Sequence, residues 1–234
     1  MGQETMDISI LIVAGGSGSR MGSDIPKQFM LFAGKPILLH TLENLHACAP
    51  DAAIGLVLPK TFIEQWSGIC QKFGCRIPHQ VFEGGAERQA SVHYGLKGLE
   101  GNDKFVAIHD GVRPFVSGEL FQRLLQQSHQ HGNAIPVLPI TDSLRERTGD
   151  HTSKAVDRDR FISVQTPQIF RRQELLEAYE QNGSGRFADD ASLMESCGHA
   201  IHTVAGDAAN IKITLPEDLL RAEGIAPGFY EKNG

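Results

Sequence analysis

Residues 14–22, with the sequence AGGSGSRMG, follow directly after the first apolar run of the chain. The glycines of this segment are Gly15, Gly16, Gly18 and Gly22. Glycine lets backbone N–H groups approach phosphate oxygens closely, and two nearby cations, Arg20 and Lys27, suit the several charges of a triphosphate. The spacing matches neither the dinucleotide fingerprint nor the Walker loop. We therefore predict another kind of nucleotide-phosphate loop, with a glycine-rich turn bearing solvated charges as the alternative.

A second pair of glycines, Gly84 and Gly85, ends a strand-like run, and Glu87 begins a helix. Arg88 and Ser91 are three positions apart, so they share one face of the first turns of that helix. They could hydrogen-bond a base or a ribose, or they could only cap and decorate the helix.

A carboxylate, Asp110, lies at the end of an apolar strand predicted at 105–108. A carboxylate among phosphates is unfavourable unless a cation intervenes, so Asp110 predicts either a Mg²⁺ ion or a contact with a substrate hydroxyl. An Asx-turn or an ion pair with Arg113 is the alternative.

Lys212 is a cation inside a short apolar run, residues 210–214, that is strand-like in pattern. A lysine in such a run marks an exposed sheet edge more often than it marks a ligand. The run is followed by Thr214 and a Pro-Glu-Asp sequence, which are typical of the start of a helix.

The elements that position these residues alternate between short β-branched runs and amphipathic stretches. Strands are predicted at 8–13, 54–58, 105–108 and 134–138, and helices at 38–47, 62–73, 87–99 and 120–131. This alternation predicts parallel βαβ units with helices on both faces of one sheet. Ligands of such sheets bind at the carboxyl ends of the strands, where the glycine loops and Asp110 lie.

The polar, charge-dense segment 140–160 interrupts this alternation. A segment of this composition is either a disordered insertion or an arm that leaves the body of the domain.

Composition narrows the class of protein. The chain has 234 residues, 41% of them hydrophobic, which fits one globular domain spanning 1–234. Its net charge of -6 gives no general attraction to nucleic acid or to an anionic membrane. The first apolar run is too short for a signal sequence or a membrane span, so we expect a cytoplasmic protein. The cysteines lack the spacing of a zinc site and are expected to be reduced: Cys48, Cys70, Cys75 and Cys197.

Taken together, these segments resemble the 2-C-methyl-D-erythritol 4-phosphate cytidylyltransferases of the non-mevalonate isoprenoid pathway. The matching motifs are AGGSGSRMG with PKQF, GGAERQASV, HDGVRPF, VDRDRF with QTPQIF, ADDAS, and NIKITLPEDL. Their order and spacing along nearly the whole chain are more specific than any one motif.

The resemblance implies a Rossmann-like α/β fold with a protruding arm at 140–160 that joins two subunits into a homodimer. It also implies that CTP and a polyol phosphate react by in-line attack of the acceptor phosphate on the α-phosphate, with Mg²⁺ at Asp110. The implied catalytic cations are Arg20, Lys27, Arg158 and Lys212. The implied nucleotide-binding residues are Ala14, Gly15, Gly16, Gly18, Gly85, Ala86, Arg88 and Ser91. The implied acceptor-binding residues are Asp110, Arg113, Ser143, Arg158 and Thr166.

The sequence departs from the family at Ser143 and Ala188, where threonine is common, and at Ser19, where a second basic residue is common. One alternative is therefore a ribitol-type cytidylyltransferase that acts on a pentitol or pentulose phosphate. A non-catalytic nucleotide-sensing module is another, although such a module does not need the cations of both substrates.

Overall fold

The computed structural model describes residues 7–15, 26–101, 103–182 and 185–233. Its strands are β1 Ile8–Val13, β2 Leu31–Phe32, β3 Lys35–Pro36, β4 Ile54–Leu58, β5 Gln80–Glu83, β6 Phe105–Asp110, β7 Asn133–Pro139, β8 Arg145–Arg147, β9 Ser153–Ala155, β10 Ile162–Val164, β11 Gln168–Arg171 and β12 Thr203–Ala205. Its α-helices are α1 Ile37–Cys48, α2 Lys60–Phe73, α3 Arg88–Gly98, α4 Gly118–His131, α5 Arg172–Asn182, α6 Asp190–Ser196 and α7 Pro216–Asn233.

Within these ranges, one sheet of eight strands has the order β10-β7-β11-β6-β1-β4-β5, with β12 also paired to β7. Strands β6, β1, β4 and β5 are parallel to one another. Strand β11 is antiparallel to both β6 and β7, and β10 is antiparallel to β7. The predicted mostly parallel sheet is confirmed, and an antiparallel strand lies between its two parallel portions.

Helices cover both faces of this sheet, as predicted. Ile8, Ile10 and Ile12 of β1 belong to one buried cluster with residues of α1, α2 and α4. Leu11 and Val13 of the same strand belong to a second cluster with residues of α3, α5 and α6. Because successive side chains point to opposite faces, a strand covered on both sides needs apolar side chains at nearly every position.

Helix α7 packs across the end of the molecule where β6 exits, in a third cluster that includes Phe115 and Ile213. It begins as predicted, and the Asp218 carboxylate accepts hydrogen bonds from the backbone N–H groups of Thr214 (2.8 Å) and Leu215 (2.9 Å). In the described part of the chain, no helix has both the length and the apolarity to cross a lipid bilayer.

The strand predicted at 210–214 is wrong. The segment is extended but belongs to no sheet, because it packs into the third cluster beside the loop that follows β6. Ile211 and Ile213 are buried, and the Ile213 N–H donates to the carbonyl of Val112 at 2.9 Å. Lys212, between them, is consequently directed to the other side and does not mark a sheet edge.

The polar segment 140–160, called the arm below, contains a β-hairpin outside the main sheet. Strands β8 and β9 form an antiparallel hairpin that, within the described residues, pairs with no other strand. Nearly all of its residues are exposed. Three large apolar side chains at its base are exposed as well: Phe161 (47%), Ile162 (51%) and Val164 (39%).

Candidate active site

Two adjoining cavities open where β1 and β6 end, at the edge of the sheet where ligands were predicted. The glycine-loop cavity, about 450 Å³, is lined by residues that include Ala14, Gly15, Lys27, Ala86, Arg88, Ser91, Asp110 and Lys212. The Thr166 cavity, about 370 Å³, is lined by residues that include Arg88, Asp110, Arg113, Thr166, Gln168, Ala188, Asp189 and Lys212. A larger hollow of about 550 Å³ lies near the start of β6, but none of the predicted site residues line it.

The exit of β1 is braced by the segment that carries Lys27. The buried side chain of Gln28 donates from Nε2 to the carbonyl of Ala14 at 3.1 Å. Pro26 precedes a short 3₁₀ helix, Lys27–Phe29, that begins here. The brace fixes this helix against the strand end, and Lys27 therefore lies in the wall of the glycine-loop cavity.

The second glycine pair is shaped by Ser91. Its hydroxyl donates to the carbonyl of Glu87 at 3.0 Å and accepts from the N–H of Gly85 at 3.1 Å. A Cβ atom at Gly84 would lie 2.9 Å from this hydroxyl oxygen, which explains the glycine there. Because the hydroxyl proton of Ser91 already binds the Glu87 carbonyl, this side chain holds the loop in place and does not donate to a ligand. The backbone of Gly85 and Ala86 is then the part of the loop that faces the cavity.

Asp110 lies among three cations. Its Oδ2 is 2.8 Å from Lys212 Nζ and 3.5 Å from Arg113 Nε, and its Oδ1 is 3.8 Å from Arg88 Nε. Burial alone would raise the pKa of Asp110, but the cations outweigh burial and hold this pKa well below its usual value of 3.8. The ion pair with Arg113 that we gave as an alternative therefore exists, and Lys212 is the closer partner.

Thr166 joins this cluster through the backbone. Its hydroxyl oxygen accepts from the N–H of Asp110 at 3.1 Å and is 2.9 Å from Nδ1 of His109. Nε2 of His109 is 2.9 Å from the carbonyl of Arg113, which can only accept, so the ring proton is on Nε2. The Thr166 hydroxyl therefore donates to Nδ1 and can offer a ligand only an acceptor lone pair.

We expect this buried histidine to make stability depend on pH. Burial lowers the pKa of His109 from 6.5 to about 4, so the folded state binds fewer protons than the unfolded state between these values. The free energy of unfolding should be highest above pH 6.5 and fall by about 3 kcal/mol as the pH drops through this window. Urea unfolding at a series of pH values measures the slope.

The control for this slope is His109→Gln, which removes the titrating group. Its unfolding free energy should depend less on pH between 6.5 and 4. A residual slope is expected from His40, whose pKa is also lowered, mainly by burial. An equal slope in the variant and the wild type would assign the effect to other groups.

The structure does not bring all the predicted residues together. Arg158 and Ser143 lie in or beside the arm and line neither cavity. The Arg158 Nη1 donates to the carbonyl of Thr141 within its own arm. The predicted residues Gly16, Gly18 and Arg20 lie outside the described residues.

Asp190 and Tyr179 were missed by the sequence analysis. Arg88, a residue of both cavities, donates from Nη2 to Asp190 Oδ2 at 2.7 Å, and Tyr179 donates to Oδ1 of the same carboxylate at 2.5 Å. The only signal in the sequence is the acidic pair of the ADDAS motif, which by itself resembles a solvated helix start.

The sequence matches one family over nearly its whole length. The family model described as IspD, 2-C-methyl-D-erythritol 4-phosphate cytidylyltransferase, matches residues 8–227. The chain belongs to this family. A cytidylyltransferase of that name from Bacteroides thetaiotaomicron is 42% identical over 214 residues, which cover 92% of this chain and 97% of the relative. Another, from Porphyromonas gingivalis ATCC 33277, is 44% identical over 215 residues, or 91% and 95% of the two chains.

Solved structures agree with this membership in the 2-C-methyl-D-erythritol 4-phosphate cytidylyltransferase family. The enzyme of that name from Thermus thermophilus superposes with a TM-score of 0.76 at 34% identity, covering 95% of this chain and 100% of that chain. The 4-diphosphocytidyl-2C-methyl-D-erythritol synthase from Anaerococcus prevotii gives 0.80 at 28% identity, covering 94% and 98%. The resemblance inferred from the motifs is thereby confirmed, and the ribitol-type alternative is not favoured.

Proposed function

We propose that the two cavities are the two substrate sites of this cytidylyltransferase, which converts 2-C-methyl-D-erythritol 4-phosphate and CTP to 4-diphosphocytidyl-2-C-methyl-D-erythritol and pyrophosphate. The main observation behind this assignment is that the two cavities share part of their walls. Arg88, Asp110 and Lys212 line both of them, so ligands in the two cavities would meet at this charged cluster. The reaction itself is inferred from membership of the family.

In this proposal CTP occupies the glycine-loop cavity. Lys27 and Lys212 neutralise its phosphates, and the family resemblance assigns the same role to Arg20. The backbone of Gly85 and Ala86 contacts the cytosine, because Ser91 holds that loop from behind. Fixed donors and cations of this kind stabilise the charge that develops on the departing pyrophosphate.

The acceptor occupies the Thr166 cavity, where Arg113 binds its phosphate and Asp110 accepts from a hydroxyl. A phosphate monoester is already ionised at neutral pH, so it attacks the α-phosphorus without a general base. His109 is not needed as such a base and is not available as one, because both its ring nitrogens are hydrogen-bonded within the protein. Alignment of the two anions can then lower the activation barrier by about 7–11 kcal/mol.

Asp110 also fits a Mg²⁺ ion that the substrate phosphates hold in large part. No group of three His, Cys, Asp or Glu side chains among the described residues could hold a metal alone. Mg²⁺ commonly binds through one carboxylate, substrate phosphates and water. Lys212 and Arg113 come closest to Asp110 at Oδ2, and Oδ1 has two lone pairs, one that would bind the ion and one that would accept from the acceptor hydroxyl. When bound, the ion neutralises phosphate charge.

We further propose that the protein is a homodimer joined by the arm. An exposed hairpin with Phe161, Ile162 and Val164 at its base has surface suited to a second copy. Arg158 and Ser143, which line neither cavity of their own chain, would reach the Thr166 cavity of the partner. The cytoplasmic location and the absence of nucleic-acid and membrane partners stay predictions from the sequence.

The nucleotide preference tests the assignment. We expect turnover with CTP to exceed turnover with UTP, ATP and GTP, because a pocket of backbone groups pairs with the amine and N3 of cytosine. A wrong base leaves buried donors or acceptors unpaired, at about 1–3 kcal/mol for each group. Pyrophosphate release with each triphosphate, and with methylerythritol phosphate or ribitol phosphate as acceptor, measures the preference. Equal turnover with UTP and CTP would contradict the assignment.

A further inference from the structure

Asp190 is a buried carboxylate without a role in either cavity wall. It is the first residue of α6 and has no exposed surface. Its two oxygens accept from Arg88 Nη2 (2.7 Å) and from the Tyr179 hydroxyl (2.5 Å). A buried carboxylate is costly unless it is paired and hydrogen-bonded, and these contacts with α3 and α5 supply both kinds of partner.

The pair with Asp190 fixes the position of Arg88 between two carboxylates. Arg88 Nη2 is hydrogen-bonded to Asp190, whereas Arg88 Nε stays 3.8 Å from Asp110 Oδ1. The second distance is too long for a hydrogen bond. The other oxygen of Asp110, Oδ2, is the one close to Lys212 and Arg113.

We propose that Asp190 is a positioning residue for cytidylyl transfer, which holds Arg88 away from Asp110 and so leaves Asp110 Oδ1 able to accept from an acceptor hydroxyl. The inference rests on the proposed function of the two cavities. It assigns the buried pair a specific part in that function, because Arg88 comes closest to Asp110 at Oδ1, whereas Lys212 and Arg113 come closest at Oδ2.

The consequence of losing Asp190 follows from the same distances. Without the charge at Asp190, the nearest carboxylate to Arg88 is Asp110, and a short movement closes the 3.8 Å gap to a charge-assisted hydrogen bond. Asp110 Oδ1 is then occupied, and the acceptor must displace Arg88 to bind. The effect should appear in the KM for the acceptor and in kcat more than in the KM for CTP.

A double-mutant cycle on the full-length enzyme tests this coupling. Asp190→Asn should lower kcat/KM for methylerythritol phosphate by about 10²-fold, the size of effect expected from a small displacement of a binding group. The KM for CTP should change less than about threefold. In an Arg88→Met background the same change at Asp190 should have almost no further effect, since Asp190 acts only through Arg88.

Two further variants separate positioning from stability. Tyr179→Phe removes one hydrogen bond from Asp190 and keeps both charges, so a smaller loss of about three- to tenfold in kcat/KM is expected. Glu43→Gln, on α1, removes an ion pair with Lys35 (2.9 Å) and should keep wild-type kinetics, because neither residue lines a cavity. Melting temperatures of all variants are measured alongside.

Equal losses from Asp190→Asn in both backgrounds, or a lower melting temperature with unchanged kinetics, would overturn the proposal. If Asp190→Asn alone does not fold, Tyr179→Phe becomes the deciding variant. Wild-type kinetics for Tyr179→Phe would then overturn the proposal. The Arg88→Met/Asp190→Asn variant, which buries no unpaired charge, should fold in that case. A wild-type enzyme that releases no pyrophosphate would instead refute the proposed function, which is a different outcome.

Discussion

Lys27→Ala should lower kcat by at least about 10²-fold, because it removes a cation from the wall of the glycine-loop cavity, where we propose that CTP binds. Negative charge develops on the leaving pyrophosphate in the transition state. A fixed ammonium group therefore stabilises the transition state more than it stabilises the bound substrate. The free energy of unfolding should change by about 1 kcal/mol or less, since Lys27 is only half-buried and the loss of a charged side chain at such a position usually costs little. Steady-state pyrophosphate release and urea unfolding measure the two quantities.

Lys97→Ala is the matched control for this experiment. Lys97 is in the last turn of α3 and forms a surface pair with Glu180 at 3.3 Å. Its replacement removes the same charge from the chain and should leave kcat unchanged. If Lys27→Ala melts early, or works nearly as well as the control, Lys27 has a structural or peripheral role and the assignment of the glycine-loop cavity to CTP loses its main support.

The sequence predicted the parallel half of the sheet closely. Strands β1 and β4 have the predicted bounds, and β6 and β7 are only slightly longer than predicted. These strands are covered on both faces, so their apolar runs are continuous and local in sequence. Strands β10, β11 and β12 were not predicted, because each has only three or four residues and is defined by pairing with distant segments.

The site residues also differ in whether local sequence or distant contacts determine their position. Asp110 and Lys27 follow recognisable local patterns, and the structure places both in the glycine-loop cavity. The strand predicted around Lys212 is wrong because its neighbours are buried by α7 and the β6 loop, a contact that the segment itself does not encode. Asp190 is 102 positions from Arg88, and only the folded chain shows that the two are paired.

The role of the arm can be tested by mixing two inactive variants. Suppose that Lys27→Ala and Arg158→Ala subunits are unfolded together in equal amounts and refolded. If the arm delivers Arg158 to the partner, one site of each mixed dimer contains both substitutions and the other site contains neither. Random pairing makes half the dimers mixed, so roughly a quarter of wild-type activity should return.

The alternative geometry predicts a different number. If Arg158 serves its own subunit, every site of a mixed dimer keeps one lesion and no activity returns. Light scattering and differently tagged subunits establish that mixed dimers are present, so that failed pairing is not mistaken for the second geometry. Recovery of activity would mean that the arm completes the neighbour's site, which we expect because Arg158 lines neither cavity of its own chain. No recovery, with mixed dimers shown, would refute the shared site and leave the cytidylyltransferase assignment in place.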